Sequence, residues 1–425
     1  MAGLRPRYLG AFGLGCLLSA CQTVPQPIDD APKPIVVQTE ENRLENQEVE
    51  IFEPQGPNSE NPIGVGGEVL PDKPTIDIVG NGFNIQFSDY LPGWETADLR
   101  ASFAAFSRNC AVWDKKDSAQ ALMVTKPEFG QYRDWQVLCE ALPSTFNDVQ
   151  TAKWFFETYF LPSNLLSNEK LDGLLTGYYE PEINVRAKID GEFSEPILER
   201  PDREDLRTQS RSNIYRSQVD YKALAYGRPI DVFFMQIQGS GRIRFADGTV
   251  KRAAYGGNNG YKYKSIGGVL INRGEMTREE ASKQAIENWM SAAGSSAARQ
   301  LMNENKRYIY FGLEDIDFGE GPKGSFGVPL TAMGSMAIDP KSRPYGVPVW
   351  LQTTLPQFSG DYVGSKQSLL VIAQDSGNAI KGDARGDLFF GSGDAAGELA
   401  GVMKHDVTMT HLLPRHLVLA ALGVR

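Results

Sequence analysis

Cysteine, histidine and net positive charge are all scarce in this chain. It has four cysteines and three histidines among 425 residues, and its formal net charge at pH 7 is −10. No Cys/His spacing matches a zinc site, so we predict no metal and no other cofactor. The acidic balance argues against nucleic acid as a partner, and against a patch for anionic membranes. The histidines all lie near the end of the chain, and we interpret them as incidental: His405, His411 and His416.

The first residues have the pattern of a lipoprotein signal peptide. A basic start precedes an apolar stretch, Leu9 to Leu18, which is about half the ~20 residues needed to span a bilayer. Leu18-Ser19-Ala20-Cys21 then has the form of a lipobox. We predict removal of residues 1–20 and acylation of Cys21, which would anchor the protein firmly. An ordinary secretory signal cut after Ala20 is the alternative.

The residues after that cysteine indicate location and a tether. Gln22 stands where an aspartate would indicate the inner membrane. By resemblance to bacterial lipoproteins, this favours the outer membrane, with the protein facing the periplasm. Residues 21–80 are rich in Pro, Glu, Asp and Asn, so they cannot bury enough apolar surface to offset their ordering entropy. We predict a disordered tether there, which extends the reach of an anchored protein.

The remaining chain, roughly 345 residues, is long enough for two domains. Cys110 and Cys139 are the cysteines left once Cys16 is removed with the signal and Cys21 is acylated. In an oxidising compartment, this pair forms either a disulfide or two small buried hydrophobic side chains. The sequence leaves both alternatives open.

Periodicity predicts a few helices and a strand-rich remainder. Helices are expected at about Glu95–Asn109, with Thr96 near the start, and at Asn147–Phe160. Thr277 and Glu280 have capping-box spacing. They precede a helical apolar face made of Ala281, Ala285, Ile286, Trp289 and Met290. Strands joined by irregular Gly/Pro loops are typical of barrels rather than of a doubly wound sheet. We predict them at Asp231–Ile237, Arg307–Phe311, Val347–Thr353, Ser368–Gln374 and Leu388–Gly391.

The stretch from Gln374 to Gly391 is the most informative part of the sequence. An apolar strand, Ser368–Ala373, leads into Asp375, a glycine-rich loop follows, and Asp387 opens a second apolar segment. Carboxylates beside tight glycine turns and buried strands either cap backbone N–H groups or perform chemistry in a partly dry cleft. The pattern alone leaves both interpretations open.

Four motifs in order resemble the membrane-bound lytic murein transglycosylase A (MltA) family with its aspartate-rich 3D domain. Asp375 to Gly391 resembles the family pattern Asp-x-Gly-Gly-Ala-Ile-x-Gly, then Asp-(Leu/Ile)-(Phe/Tyr)-x-Gly, with Asn378 replacing the second glycine. The other motifs are Leu175 to Pro181, Met235 to Gly241 and Tyr255 to Gly267. The resemblance covers roughly residues 90–404 and weakens after Lys404, so we infer nothing from the family for the tail.

The resemblance implies a mainly β fold with flanking helices, of the α+β class. A double-psi β-barrel main domain, residues 81–178 plus 319–425, would be interrupted by a smaller β-rich insert domain, residues 179–318. A substrate groove would lie between these two domains.

The resemblance also implies a lytic transglycosylase that cuts the β-1,4 bond between N-acetylmuramic acid and N-acetylglucosamine in peptidoglycan. In that reaction the C6 hydroxyl of the muramic acid attacks its own anomeric carbon and leaves a 1,6-anhydro end. Because this nucleophile is tethered, one carboxyl group can serve first as acid and then as base. By resemblance that group is Asp387, while Asp375 orients or tunes it and Asp339, before Pro340, is structural.

Six other residues are candidates for binding the glycan: Thr176, Tyr178, Tyr179, Gln238, Ser240 and Lys381. Strand alternation predicts that one of the two tyrosines faces the groove and the other belongs to the core. The segment from Gln238 to Gly241 either approaches the sugar closely or is a plain hairpin turn. Lys381 either binds sugar or peptide oxygens or is simply solvated.

Two other functions remain open. One is a non-catalytic peptidoglycan-binding outer-membrane lipoprotein, because double-psi barrels also occur in binding modules; the presence of both Asp375 and Asp387 favours an enzyme. The other is a hydrolase of the same bond, which needs a second carboxylate at a suitable separation. The expected partners are peptidoglycan strands, the outer membrane, and cell-wall synthesis or division complexes. We expect a monomer, since a groove and a tether need no second copy.

Overall fold

A computed structural model describes residues 77–78, 83–84, 86–143, 148–166, 171–278, 280–357 and 364–423. The predicted signal peptide, Cys21 and nearly all of the predicted tether lie outside the described residues. All described residues belong to one compact unit, Glu60–Arg425. No helix within these ranges combines the length and the apolar character that crossing a bilayer requires.

The described chain alternates helices and strands. The helices are α1 (Phe87–Tyr90), α2 (Arg100–Trp113), α3 (Tyr132–Glu140), α4 (Val149–Tyr159), α5 (Glu204–Arg207), α6 (Arg211–Arg216), α7 (Pro229–Gln238), α8 (Ile266–Asn272), α9 (Lys283–Glu304), α10 (Asp394–Val402) and α11 (Arg415–Ala421). The strands are β1 (Asp77–Ile78), β2 (Phe83–Asn84), β3 (Phe160–Pro162), β4 (Leu171–Glu180), β5 (Glu182–Arg186), β6 (Glu195–Leu198), β7 (Ala223–Gly227), β8 (Gly241–Arg244), β9 (Val250–Asn258), β10 (Ile309–Glu314), β11 (Ser335–Ile338), β12 (Pro348–Leu355), β13 (Ser365–Ser376), β14 (Arg385–Ser392) and β15 (Lys404–Pro414).

The main sheet has seven strands in the order β12-β13-β11-β14-β4-β15-β3. A further pairing of β12 with β15 joins the ends of the first six strands into a closed ring. The pairs β11–β13 and β4–β14 are parallel, and the other pairs of this ring are antiparallel. A six-stranded ring leaves no free edge and agrees with the predicted double-psi β-barrel. Its interior is filled by apolar side chains such as Leu175, Met336, Leu388 and Met409.

The insert sheet consists of β5 to β10 in the order β10-β9-β8-β5-β7-β6. The chain leaves the main sheet at the end of β4 and re-enters it at the start of β11. The insert therefore interrupts the main sheet in sequence while forming a sheet of its own. The predicted α+β fold, a barrel interrupted by a smaller β-rich part, is confirmed.

Glu180 lies where the chain passes from the main sheet into the insert, and it is completely buried. It accepts hydrogen bonds from Arg242 Nε at 2.9 Å and Arg252 Nε at 2.6 Å, both in the insert sheet. Ser392 Oγ, at the end of β14, donates to the same carboxylate at 2.8 Å. These contacts pair a buried carboxylate with two guanidinium groups and tie the insert to the main sheet.

The strand predicted at Asp231–Ile237 is wrong, because this segment is helix α7. Pro229 occupies the first turn of this helix, and Gly239 ends it with a φ of 93°. Both sides of the helix are apolar: one faces the core of the insert sheet and the other packs against α8 and α9. A helix buried on two sides lacks the one-sided pattern of a surface helix. Proline at the start and glycine past the end were the available signals.

Two predicted helix starts also need correction. α2 begins at Arg100, whose backbone N donates to Asp98 Oδ1 at 3.0 Å. Thr96 instead ends a short 3-10 turn and donates to the carbonyl of Gly93 at 3.3 Å. Thr96 therefore does not cap the helix. α4 begins at Val149, a little later than predicted, because Asp148 caps it by accepting from Thr151 N at 2.8 Å.

The predicted capping box forms, but it precedes the helix rather than starting it. Thr277 N donates to Glu280 Oε2 at 3.0 Å, and Glu280 N donates to Thr277 Oγ1 at 3.3 Å. Ser282 is the actual cap of α9 and accepts from Ala285 N at 3.2 Å.

Two features left open by the sequence are settled by the fold. Cys110 and Cys139 form a disulfide that joins α2 to α3, with their Cα atoms 5.7 Å apart. The tail after Lys404 is not peripheral, since it forms β15. This strand pairs with β4, β12 and β3 and closes the barrel.

Candidate active site

A groove of about 850 Å³ lies between the main sheet and the insert. Its main wall comes from β4, β11, β13, β14 and the loops around them. Its insert wall comes from the turn between α7 and β8, from β9, and from the residues leading into β10. The predicted groove between the two parts is therefore present.

Four neighbouring strands place Thr176, Asp387, Ala337 and Asp375 in one row across the main wall. Asp387 is in register with Thr176 on one side and with Ala337 on the other. Ala337 is in register with Asp375. Residues in register on adjacent strands share a face, and all four line the groove. With strands about 4.8 Å apart, the Cα atoms of the two aspartates lie about 10 Å apart across the small Ala337.

Asp387 has the environment of an acid that holds its proton. Burial raises its pKa to about 6, and the charge of Asp375 acts in the same direction. The hydroxyl of Thr176 donates to Asp387 Oδ1, and Arg385 Nη2 donates to Thr176 Oγ1 at 2.7 Å. The hydrogen bond from Thr176 and the charge of Arg385 lower the pKa, so burial is the dominant influence. A carboxyl group with such a pKa can donate a proton near neutral pH.

Asp375 is held by four hydrogen bonds. Its Oδ1 accepts from Ser325 N at 2.9 Å, Ser325 Oγ at 2.8 Å and Ser376 N at 2.8 Å. Its Oδ2 accepts from the hydroxyl of Tyr178 at 2.9 Å. These bonds fix the carboxylate of Asp375 in place within the row, which suits a positioning and electrostatic role better than proton transfer.

The two neighbouring tyrosines divide as strand alternation predicts. Tyr178 reaches Asp375 on the groove side, and its ring contacts that of Phe389 with centroids 5.3 Å apart. Tyr179 is only 6% exposed and packs against Gly397 of α10, where no larger residue would fit. Tyr178 is therefore the groove-facing member of the pair, and Tyr179 belongs mainly to the core.

The segment from Gln238 to Gly241 is not a hairpin turn. It ends α7 and leads into β8, and the left-handed backbone of Gly239 makes this change of direction possible. Gln238 and Ser240 both line the groove. Gln238 Oε1 also accepts from the backbone N of Tyr179 at 3.4 Å.

Asp339 and Lys381 lie together at the rim of the groove. Asp339 Oδ1 accepts from Lys341 N at 3.2 Å, and Oδ2 accepts from Gly382 N at 3.0 Å. Burial raises the pKa of Asp339, but these backbone hydrogen bonds and the charges of Lys381 and Lys341 together outweigh it and leave the pKa below its ordinary value. Lys381 is exposed, with Nζ 3.9 Å from Asp339 Oδ1. Asp339 thus ties its own turn to the loop that carries Lys381.

His411, one of the two histidines on β15, lies in the barrel and not in the groove. His411 Nε2 accepts a hydrogen bond from Arg343 Nε at 2.6 Å, and its ring meets that of Phe129 edge-on. Burial lowers the pKa of His411 well below its ordinary value. Within the described ranges, no three His, Cys, Asp or Glu side chains are grouped so that they could hold a metal ion.

Three site residues were not predicted from the sequence: Ser325, Ala337 and Arg385. Arg385 stands two positions before Asp387, so strand alternation could have placed it on the same face. Ala337 lies in the apolar segment before Asp339 and carries no chemical signal. Ser325 is 50 residues from Asp375, and no local pattern connects them.

Comparison with known proteins agrees with these observations. The family models for the MltA specific insert domain and the 3D domain match residues 174–312 and 334–413. Membrane-bound lytic murein transglycosylase A of Vibrio cholerae serotype O1 is 34% identical over 295 residues, which is 68% of this chain and 76% of that protein. The chain belongs to the membrane-bound lytic murein transglycosylase A family. The 3D match continues to residue 413, so the predicted weakening after Lys404 is wrong.

Solved structures of this family are also similar. The membrane-bound lytic murein transglycosylase of Agrobacterium tumefaciens is 28% identical with a TM-score of 0.66, covering 79% of this chain and 98% of that chain. Escherichia coli MltA with bound chitohexaose is 29% identical with a TM-score of 0.57, covering 75% and 90%. The 3D match includes Asp339, Asp375 and Asp387, and the insert match includes Thr176 and Gln238.

Proposed function

We propose that this peptidoglycan lytic transglycosylase cleaves the β-1,4 bond between N-acetylmuramic acid and N-acetylglucosamine with Asp387 as its single catalytic carboxyl group. Membership of the MltA family supports the reaction and the substrate class. The raised pKa of Asp387, in a row of groove-lining residues, is the observation that carries the assignment.

The reaction needs one proton donor and one internal nucleophile. Protonated Asp387 gives its proton to the glycosidic oxygen, and the bond from that oxygen to the anomeric carbon of muramic acid breaks. The C6 hydroxyl of the same sugar forms the new bond to that carbon and passes its proton to the Asp387 carboxylate. The product is a 1,6-anhydro end, and Asp387 is protonated again for the next cycle.

The environment of Asp375 supports a mechanism with one carboxyl group. Glycosidases that use water or a covalent intermediate need a second carboxylate free to act as base or nucleophile. Asp375 instead accepts hydrogen bonds from Ser325, Ser376 and Tyr178. We assign it to raising the pKa of Asp387 and to holding Tyr178 at the groove face.

The groove residues supply polar contacts for a sugar chain. We propose that Tyr178, Gln238, Ser240 and Lys381 contact the glycan, and that Thr176 acts mainly by positioning Asp387. The chitohexaose bound to the E. coli relative supports a saccharide as the occupant of this groove. Asp339 is assigned a structural role because its carboxylate is used within the rim.

The location of the enzyme is part of the proposal. The relatives are named membrane-bound, and the lipobox ending at Cys21 supports lipid anchoring in the outer membrane, towards the periplasm. We keep the predicted domain limits, 81–178 plus 319–425 and 179–318, as part of the same proposal. A Cys21→Ala variant with the signal retained should carry no acyl chain and be lost from the outer-membrane fraction.

The decisive experiment digests purified peptidoglycan with the soluble form that starts after Cys21, and analyses the muropeptides by mass. Products ~18 Da lighter than hydrolase products, because no water is added, should form with the wild type and disappear with Asp387→Asn. Asp383→Asn, in the exposed part of the same loop, is the matched control and should retain activity. Reducing ends would indicate a hydrolase, and binding without cleavage by the wild type would indicate a binding module.

A further inference from the structure

The insert wall of the groove carries positive charge that is not paired with carboxylates. Arg211 and Arg307 both line the groove, in a chain whose formal net charge is −10. Within the described residues, neither forms an ion pair. Other arginines of the insert do form such pairs: Arg228 with Glu192, Arg242 with Glu180, Arg244 with Glu182 and Arg299 with Glu195. Arg211 and Arg307 therefore bring to the groove two guanidinium groups without a carboxylate partner among the described residues.

Arg307 is the member of the pair that can contact a ligand. Its Nη1 donates to Asn258 Oδ1 at 3.2 Å and to the carbonyl of Tyr261 at 3.0 Å. Both of these hydrogen bonds start from Nη1, and the Tyr255 side chain also contacts the guanidinium group. The five N–H groups of an arginine still leave donors for a groove occupant. Asn258 Nδ2 also donates to the hydroxyl of Tyr255 at 2.5 Å, so the motif from Tyr255 to Gly267 holds the guanidinium in place.

Arg211 supports Arg307 from within the insert. It is 3% exposed, and its donors reach Asn305 O at 2.9 Å, Gln236 Oε1 at 2.5 Å and the backbone carbonyl of Arg307 at 2.5 Å. Burial lowers its pKa to about 10, so it stays charged at neutral pH. Its hydrogen bond to the backbone carbonyl of Arg307 holds that residue in position at the groove.

We propose that Arg307, positioned by Arg211 and Asn258, binds a carboxylate carried by the glycan strand. This inference rests on the proposed function, since it takes peptidoglycan as the occupant of the groove. Muramic acid carries such a carboxylate either on its lactyl group, when the peptide is absent, or on the attached stem peptide. A guanidinium fork binds carboxylates with two parallel hydrogen bonds, which neutral chitin-type sugars cannot accept in the same way.

As a consequence, the insert would set the preference of the groove for acidic over neutral glycans. Cleavage depends on the row around Asp387, whereas discrimination between acidic and neutral glycans depends on Arg307 on the opposite wall. The motif from Tyr255 to Gly267 then has a function in the groove, as the frame of an anion subsite.

The test measures binding with the full-length protein in detergent, carrying Asp387→Asn so that no probe is cleaved. Three probes separate the carboxylate sources: neutral chitohexaose, muramic acid strands stripped of peptide by an amidase, and strands with intact stem peptides. The variants are Arg307→Gln, Arg307→Lys and Arg216→Gln. Arg216 is an exposed arginine of α6 outside the groove lining, so its variant controls for the loss of one charge.

Arg307→Gln should raise Kd about tenfold for at least one acidic probe, the loss expected of a charge-assisted hydrogen bond. Chitohexaose binding should stay within about twofold, and this also shows that the variant is folded. Arg307→Lys should retain part of the affinity, because it keeps the charge without the fork. If only strands stripped of peptide lose affinity, the carboxylate bound by Arg307 is the lactyl group. If only strands with intact stem peptides lose affinity, the carboxylate belongs to the stem peptide.

The inference is overturned if Arg307→Gln matches Arg216→Gln on every probe, or if it weakens chitohexaose as much as the acidic probes. Either result is independent of the proposed reaction, which is read from anhydro products of the wild-type enzyme. Conversely, absence of anhydro products would contradict the reaction without changing the binding comparison.

Discussion

Asp375 and Asp387 lie on the same face of the main sheet because both are in register with Ala337. The two carboxylates come from strands on either side of β11, and only a methyl group stands between them. This spacing keeps the charge of Asp375 close enough to influence Asp387. We propose that the sugar lies over this row, at Asp387.

Filling the space between Asp375 and Asp387 should impair catalysis without changing a charged residue. Ala337→Val places two extra methyl groups between the aspartates, and we expect kcat/KM to fall at least about tenfold, since extra methyl groups in a packed site displace their neighbours. Ala379→Val, in an exposed loop of the same groove, is the control and should have little effect. Thermal unfolding of both variants separates a blocked site from an unfolded protein. Unchanged kinetics for Ala337→Val would contradict the placement of substrate over this row.

The pH dependence should follow the proton on Asp387. Its pKa is raised to about 6 by burial, and the proposed reaction begins with the protonated form. We therefore expect kcat/KM to fall as the pH rises above about 6, measured on soluble glycan strands. A profile that rises through this range would contradict the role of Asp387 as the acid.

Two substitutions should shift the alkaline limb of the profile, the fall of kcat/KM above about pH 6, in opposite directions. Thr176→Val removes a hydrogen bond that lowers the pKa of Asp387, so the limb should shift to higher pH. Asp375→Asn removes a negative charge that raises this pKa, so the limb should shift to lower pH. Profiles of kcat/KM against pH for both variants and the wild type provide the comparison. Shifts in the same direction would show that the limb does not report Asp387.

The raised pKa also makes a prediction for stability. The pKa of Asp387 is about 6 in the folded protein and lies near 3.9 in an unfolded chain. Between these two values the folded state therefore binds more protons than the unfolded state. The proton on Asp387 contributes stability that is fully present below about pH 4 and is lost as the pH rises through 6. Asp387→Asn removes this loss, so the variant should gain up to about 3 kcal/mol relative to the wild type between pH 4 and 8. Urea unfolding of both proteins at pH 4 and at pH 8 measures the gain. A difference in unfolding free energy that does not change with pH would contradict the burial of Asp387.

Glu180 should matter for stability far more than its neighbour Glu182. Glu180→Gln leaves Arg242 and Arg252 without their buried partner, and we expect a loss of about 3–5 kcal/mol in the free energy of unfolding. Glu182→Gln removes a more exposed pair with Arg244 and should cost about 0–1 kcal/mol. Urea denaturation of the two variants provides the measurement. Equal losses would mean that the contact between insert and main sheet does not depend on this carboxylate.

Much of the barrel could be predicted where strands are short and bounded by turn residues. The segments around Val347–Thr353 and Ser368–Gln374 are strands, as predicted, because each is an apolar run beside a turn residue, Gly346 before the first and Asp375 after the second. α7 was misread because a helix buried on two sides has the continuous apolar pattern of a strand. Its proline and glycine limits carried the better information.

The sequence by itself determined the chemistry that the chain can offer. Asp387 stands before an apolar segment, so its burial and its raised pKa follow from local composition, and the motifs around it are enough to indicate the family. Tertiary structure decided which side chains meet: Thr176 with Asp387 across 211 residues, Ser325 with Asp375 across 50, and Arg211 behind Arg307. The physical reason is strand register and close packing. These contacts depend on how distant segments align, and no local pattern of residues encodes that alignment.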